Sequence, residues 1–220
     1  HAFLNADNEH CDELAQRAIC PVSTVGTGGY ADIEAFDVEE TTNGIRLRVQ
    51  ETMYEIPIHG THNVTNVLLA IATAKSLGMS HASIASRLKT FSPPAHTFEV
   101  RDKQGITILD DTHNASPGSF QAAIQWARSQ PAEQKVLLTS GLIELGEEQD
   151  RTHAELGSMA APVFDRVVFL SRQSAKPFRN GFGKEVEIYN KNTQPITESS
   201  LLVCVGRMSE HIIQNLLPSS

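Results

Sequence analysis

The sequence predicts an α/β protein. A mixed region of strands and helices comes first, and a doubly wound, mostly parallel sheet of the Rossmann-like kind follows. Three observations carry this reading. The amino-terminal region alternates apolar and polar residues between glycine-rich turns before it becomes helical in period. The stretch "SPPA" at Ser92–Ala95 then interrupts the chain with two adjacent prolines. Beyond it, short apolar runs alternate with helical segments, as crossover connections in a parallel sheet require.

Each element has its own justification. "NADNEHCDELAQRA" reads as a turn entering a short helix, with acidic residues near the helix start where the macrodipole favours them. "VSTVGTGGYADIEAFDVEETTNGIRLRVQETMYEIPIHG" reads as three or four strands, partly antiparallel, with a hairpin turn at Asn43-Gly44. "THNVTNVLLAIATAKSLG" has helical spacing: Val64, Val67, Leu68, Ile71, Ala72 and Leu77 share one broad face, and Gly78 stops it. "SHASIASRLKTF" is a second short helix with Ser80 as its cap and Ile84, Leu88 and Phe91 inward.

Pro93 and Pro94 cannot continue a helix and set the expected domain boundary, giving domains of residues 1–93 and 94–220. "FEVRDKQGITILDD" is then a strand pair turning at Lys103–Gly105. "SPGSFQAAIQWARSQ" is a helix with Pro117 in its first turn and Phe120, Ile124 and Ala127 inward. "QKVLLTSG" is a buried strand and "EEQDRTHAELGSMAAPV" a helix. "FDRVVFLS", "EVEIYN" and "SLLVCVG" are strands, and "RMSEHIIQNLL" closes as a helix.

Bulk properties exclude several function classes. Against 18 basic residues stand 26 acidic ones, a net charge of -8. That argues against a general nucleic-acid surface, which needs a local excess of Lys and Arg, though one small anion pocket remains compatible. No apolar run is long enough to span a membrane, and the amino end lacks the basic start and apolar core of a signal peptide. Cys11, Cys20 and Cys204 form no close pair and no metal spacing, which fits a reducing, cytoplasmic setting. The expected assembly is a monomer, with no nucleic-acid or membrane partner.

Ligands of doubly wound sheets gather at the carboxyl ends of strands. "DDTHNASP", "TSGLIELGEE" and "VGRMSE" fall there. Asp110 or Asp111 can accept hydrogen bonds from a ribose hydroxyl or assist a bound cation; equally, either can simply end the strand while Ser116 caps the next helix. In "THNVTN", Asn63 and Asn66 lie three apart and so share a helix face that can address one ligand; equally, Thr61 or Asn63 caps the helix. "GTGGYAD" is rejected as a phosphate loop, because it lacks the GxxGK[ST] pattern and leads into a strand. His10, His59, His81, His153 and His211 have no metal-ligand spacing and read as surface or hydrogen-bonded residues; no metal ligands are assigned.

Four stretches, "GTHNVTNVLLAIATAKSLG", "FSPPAHTFEV", "ITILDDTHNASPGSFQAAI" and "GLIELGEEQDRTHAELG", resemble in order and spacing the Mur ligase family, and within it the D-alanyl-D-alanine-adding type. That type reads G-x-H-N-x-x-N, a Pro-rich step ending in Arg, D-D-x-Y-N-x-N-P, then E-L-G. "LNADNEH" is similar to the family's N-x-D turn. The resemblance implies the end of a central ATPase domain, up to about Pro93, followed by a whole carboxy-terminal domain. The family's P-loop, magnesium ligands and carbamylated Lys precede this region, so the chain alone is expected not to hydrolyse ATP.

The family reaction uses ATP and Mg2+ to activate a carboxylate as an acyl phosphate, which an amine then attacks. The resemblance therefore implies UDP-N-acetylmuramoyl-peptide and D-alanyl-D-alanine, or a similar amine, as substrates. Asn63 and Asn66 would face the adenine side of the nucleotide, and Asp111 would hold its ribose or nearby polar groups. His113, Asn114 and Ser116 would lie where the amino component binds. Four departures stand out. Thr97 replaces the Arg expected to reach the ATP phosphates, and it carries no charge. His113 replaces Tyr, and Ser116 replaces Asn. Val205 replaces the Lys of a late Lys-Gly-Ser motif, with Arg207 a nearby cation that can partly compensate. Two other readings remain open at this stage. One is a degenerate, non-catalytic module that binds a nucleotide or partner. The other is a related amide ligase such as a folylpolyglutamate or cyanophycin synthetase.

Overall fold

The computed structural model describes residues 1–218, which divide into two compact units at Pro93/Pro94. In the first unit the order is β1 (Ala2–Asn5), α1 (Cys11–Arg17), β2 (Val22–Gly26), β3 (Ile33–Thr41), β4 (Gly44–Val49), β5 (Thr52–Ile56), α2 (Val64–Ser76) and α3 (His81–Leu88). The strands form one sheet in sequence order, parallel from β1 to β3 and antiparallel from β3 to β5. Helix α2 lays Val64, Val67, Leu68, Ile71 and Ala72 on a core that includes Val25, Leu47 and Tyr54. Ser80 caps α3 by accepting the Ser83 N–H.

Two residues expected to face inward do not. Leu77 is 79% exposed, because α2 ends at Ser76 and the chain turns away through Gly78. Phe91 is 44% exposed: α3 stops at Leu88, so helical spacing no longer decides its side. Strand β1 escaped the sequence reading, since four residues are too few for alternation to show.

The second unit runs β6 (Glu99–Lys103), β7 (Ile106–Asp111), α4 (Pro117–Ser129), β8 (Gln134–Thr139), α5 (Gln149–Ala160), β9 (Arg166–Phe169), α6 (Arg172–Phe182), β10 (Glu187–Ile188), β11 (Ser200–Val205) and α7 (Glu210–Leu216). Its six-stranded sheet has the order β10-β9-β8-β11-β7-β6. All pairs are parallel except β6 with β7. Strand β11 is last in sequence but central in space, so β7 and β8 never pair. Helices cover both faces, which makes the sheet doubly wound. α4, α5 and α6 bury Phe120, Ile124, Leu156 and Phe178 on one face. α7 buries Ile213 and Leu216 on the other. Each such side chain contributes about 1.5–3 kcal/mol when fully buried.

Helix α6 was not foreseen, since Pro177 and Gly181 both argue against a helix. Its position explains the tolerance. A side chain at Gly181 would meet the Ala154 carbonyl at 1.8 Å, and one at Gly157 would meet the Phe178 carbonyl at 2.1 Å. The two glycines let the α5 and α6 backbones approach closely, and tertiary packing overrides local propensity.

Candidate functional site

The site is built where β7 ends. Strand alternation sends residues 106, 108 and 110 to one face of the sheet and residues 107, 109 and 111 to the other. Ile106 and Ile108 duly pack in the α7-side core, and Leu109 packs in the α4-side core. Asp110 and Asp111 are therefore adjacent in sequence but opposite in direction. Both are buried, at 0% and 3% exposure.

Asp110 faces α7 and is fully partnered. Oδ1 accepts the Thr112 N–H at 3.3 Å and the Thr112 hydroxyl at 2.7 Å. Oδ2 accepts Arg101 Nη2 at 3.1 Å and bonds His96 Nδ1 at 2.9 Å. The same Arg101 nitrogen donates to Glu210 Oε2 at 2.7 Å, which ties β6 to α7. The Asp110 hydrogen bond and charge hold His96 above the usual histidine pKa, with Glu210 and Glu99 adding to the effect.

Asp111 faces α4 and is half-partnered. Oδ1 accepts the Phe98 N–H at 3.1 Å. Oδ2 is buried and has no hydrogen-bond partner among the described residues. Burial pushes the Asp111 carboxyl above its usual pKa. The Phe98 N–H and the nearby Ser119 hydroxyl oppose that rise, although the Ser119 hydrogen bond itself goes to the Ser116 carbonyl.

The segment entering β6 is pinned to this strand end. His96 and Phe98 adopt left-handed backbone angles, φ 63° and 46°, which are uncommon outside glycine. They are held there by three contacts: the His113 N–H on the His96 carbonyl, the Phe98 N–H on Asp111, and the His96 ring on Asp110. Thr97 sits between them, half-buried. His96 was missed by sequence reasoning. Its only signal was that β6 pairs with β7, which sets Glu99 opposite Asp110 and so brings His96 near.

The neighbouring loops complete the edge. Gly206 follows β11 with φ 91° and donates its N–H to the Asp111 carbonyl at 3.1 Å. A side chain there would lie 2.4 Å from Ser140 Oγ and 2.8 Å from the Gly141 carbonyl, so the position accepts only glycine. Arg207, next in sequence and exposed, reaches Asn114 Oδ1 at 3.3 Å. After β8, His153 is fully buried. Its Nδ1 donates to the Gln149 carbonyl and its Nε2 accepts the Leu142 N–H, so the neutral ring holds the 140–142 loop to α5.

The residues singled out from sequence fall into three groups. Asp111, Thr97, His113 and Asn114 gather around the end of β7, with His113 and Asn114 exposed. Ser116 is a helix cap: its oxygen accepts the Ser119 N–H while Ser119 accepts the Ser116 N–H, and the exposed Ser116 O–H keeps its capacity to donate. Asn63 and Asn66 lie in the other unit at the start of α2. Asn66 Nδ2 donates to Asn63 Oδ1 at 3.2 Å, and Asn63 Nδ2 donates to the His59 carbonyl. Neither asparagine supplies a side-chain cap to α2, whose N-cap position is Asn63.

His96, Asp110 and Glu210 bring one ligand atom each within 4.8 Å of one another, the one such set of three or more among the described residues. The place of a cation between the two carboxylates is already taken by the Arg101 guanidinium. The set therefore does not suit a magnesium ion, which requires near-octahedral oxygen ligation. No helix among the described residues is long and apolar enough to cross a membrane.

Two family profiles match the chain: the Mur ligase middle domain over residues 1–74, and the Mur ligase, glutamate ligase domain over residues 97–205. The UDP-N-acetylmuramoyl-tripeptide–D-alanyl-D-alanine ligase of Bacillus subtilis (strain 168) is 33% identical over 162 residues, 71% of this chain and 35% of that protein. MurF from Acinetobacter baumannii has the same fold, with a TM-score of 0.83 at 20% identity over 97% of this chain and 51% of the other. MurF ligase from Thermotoga maritima in complex with ADP gives a TM-score of 0.71 at 20% identity, covering 94% of this chain and 50% of the other. The chain thus spans about a third to a half of the length of these relatives.

Proposed function

The chain belongs to the Mur ligase family, and from that premise we propose that it is the carboxy-terminal part of an ATP-dependent amide ligase of peptidoglycan synthesis. The reaction joins D-alanyl-D-alanine to a UDP-N-acetylmuramoyl-peptide. The peptide carboxylate is first activated as an acyl phosphate. The dipeptide amine then attacks the acyl carbon and phosphate leaves.

The observation that carries this reading within the chain is Asp111. A buried carboxylate oxygen without a donor is costly unless a ligand supplies one. At the carboxyl edge of a doubly wound sheet, a nucleotide ribose hydroxyl is the donor that fits. Asn63 and Asn66 are read as the adenine-side pair, since their amides already act as a unit. His113 and Asn114, exposed on the loop after β7, are read as lining the place of the amino component. Thr97 stands at the position from which an Arg would reach the phosphates, so this chain supplies no charge there. The magnesium that accompanies ATP is read as held by the preceding part of the central domain. The buried or unpaired state of Cys11, Cys20 and Cys204 supports a cytoplasmic reaction.

The test is turnover by the full-length gene product. With ATP, Mg2+, UDP-N-acetylmuramoyl-tripeptide and D-alanyl-D-alanine, phosphate release should depend on both the tripeptide and the dipeptide. Nucleotide binding without dipeptide-dependent phosphate release would favour a non-catalytic module, the reading that Thr97 supports.

A further inference from the structure

We infer that Glu40, turned inward by a bulge in β3, positions the Asn63–Asn66 pair and so makes it read adenine over guanine. The inference rests on the proposed adenine-side role of the two asparagines and deepens it. It starts from an irregular pairing. β3 pairs with β4 in antiparallel fashion, with Ala35 opposite Val49 and Phe36 opposite Arg48. Regular pairing would then set Glu39 opposite Ile45. Instead Glu39 stands opposite Arg46 and Glu40 opposite Ile45, one residue late. The extra residue is taken up where Asp37 turns to φ 52° and Arg48 Nε donates to its carboxylate at 2.7 Å. A slip of one residue exchanges the faces of a strand. Glu39 therefore faces outward and pairs with Arg46. Glu40 joins Ile45 on the face that α2 covers.

There Glu40, its side chain 28% exposed, holds the turn that leads into α2. Both carboxylate oxygens accept the Gly60 N–H, at 3.0 and 3.1 Å, and Oε1 also bonds His59 Nδ1 at 3.1 Å. Gly60, at φ 84°, opens the single turn Thr61–Asn63, which runs into α2. A carboxylate at the amino end of that helix also suits its dipole. Neither Gly60 nor Asn63 supplies a side-chain cap, so the asparagine amides are left for other work.

The Gly60 N–H and the His59 carbonyl are two ends of one planar peptide, so anchoring the first aims the second. The His59 carbonyl accepts Asn63 Nδ2 at 2.9 Å. That turns Asn63 Oδ1 toward Asn66, whose Nδ2 it accepts at 3.2 Å. Each bond fixes which end of the next amide carries the oxygen. The relay ends on Asn66, which is exposed and keeps its Oδ1 and its second N–H free of partners among the described residues. An acceptor beside a donor matches adenine, which presents an amino donor next to a ring-nitrogen acceptor. Guanine has a carbonyl oxygen in place of that donor and mismatches.

The experiment titrates the full-length gene product with ATP and with GTP, in the presence of Mg2+, by calorimetry. Wild type should bind ATP more tightly. Asn66→Ala removes the reading amide and should weaken ATP about 3- to 10-fold, the weight of one ordinary hydrogen bond, with GTP no weaker. Glu40→Ala should reproduce that loss. The double variant should lose no more than either single one, because both act through one contact. Glu40→Gln keeps an acceptor for the Gly60 N–H and should stay near wild type. If Glu40→Ala does not fold, Glu40→Asp, whose shorter side chain withdraws the carboxylate from Gly60, carries the same comparison. Full ATP affinity in the folded variant, an equal loss for ATP and GTP, or losses that add in the double variant would overturn the inference and leave the adenine-side reading standing. A wild type that binds the two nucleotides alike, or an Asn66→Ala variant that keeps the preference, would overturn that reading and the inference with it.

Discussion

Asp110 and Asp111 share a strand end, a residue type and near-complete burial, yet their surroundings differ. Asp110 has every acceptor position answered, by Thr112, Arg101 and His96. Asp111 has one oxygen answered by a backbone N–H and the other left bare. The Asp110 carboxylate faces α7 and locks β6, β7 and that helix together. The Asp111 carboxylate faces α4 and keeps an acceptor free for a donor. A paired buried charge serves the fold, whereas an incompletely paired one lowers stability, and we propose that Asp111 is kept for the donor it would bind.

The largest effect should come from breaking the satisfied side. Asp110→Ala leaves Arg101 half-buried with only Glu210 and frees the His96 ring. Stability should fall by about 3–5 kcal/mol, measured by urea denaturation. A loss no greater than that of an ordinary surface substitution would mean the network is ornamental.

The next effect has the opposite sign. Burial raises the Asp111 pKa, so its ionised form opposes folding at neutral pH. For a raised carboxyl, stability is fully present below the ordinary carboxylate pKa and is lost as pH climbs through the raised value. Asp111→Asn removes that burden while keeping an oxygen for the Phe98 N–H. Thermal unfolding of the chain near pH 7.5 should move up by about 2–4 °C. A drop would show that Asp111 is as structural as Asp110 and erase the contrast.

The smallest effect concerns His96. Its raised pKa makes its bond to Asp110 stabilising below about pH 6.5, the ordinary histidine value, and that support fades as pH rises through the raised value. Because the side chain is 42% exposed, the change should be no more than about 1 kcal/mol. His96→Gln should flatten the stability profile across that window. An unaltered slope would remove His96 from the Asp110 network.

Much of this was legible in the sequence, for identifiable reasons. "ITIL" is too apolar and β-branched to be anything but a buried strand, and Ser116-Pro117 is a strong helix start. The α/β class followed from such local signals. The sidedness of the two aspartates was not legible. It depends on which helices cover which face, and that is decided by β11 arriving from far along the chain to sit between β7 and β8. His96 was hidden for the same reason, since its partner lies on a neighbouring strand. The capping role of Ser116 was one of the open readings, and the reciprocal Ser119 bond shows it. Helix α6 was lost because Pro177 and Gly181 speak against it locally, and only close packing on α5 supports it.

The central claim is that Asp111 keeps a bare oxygen for a nucleotide. Its most direct test is calorimetric titration of the full-length gene product with ATP in the presence of Mg2+, wild type against Asp111→Asn. The account predicts that nucleotide affinity falls at least about tenfold, the loss of one hydrogen bond to a charged acceptor, even as the fold gains stability. Unchanged affinity in a folded variant would contradict it.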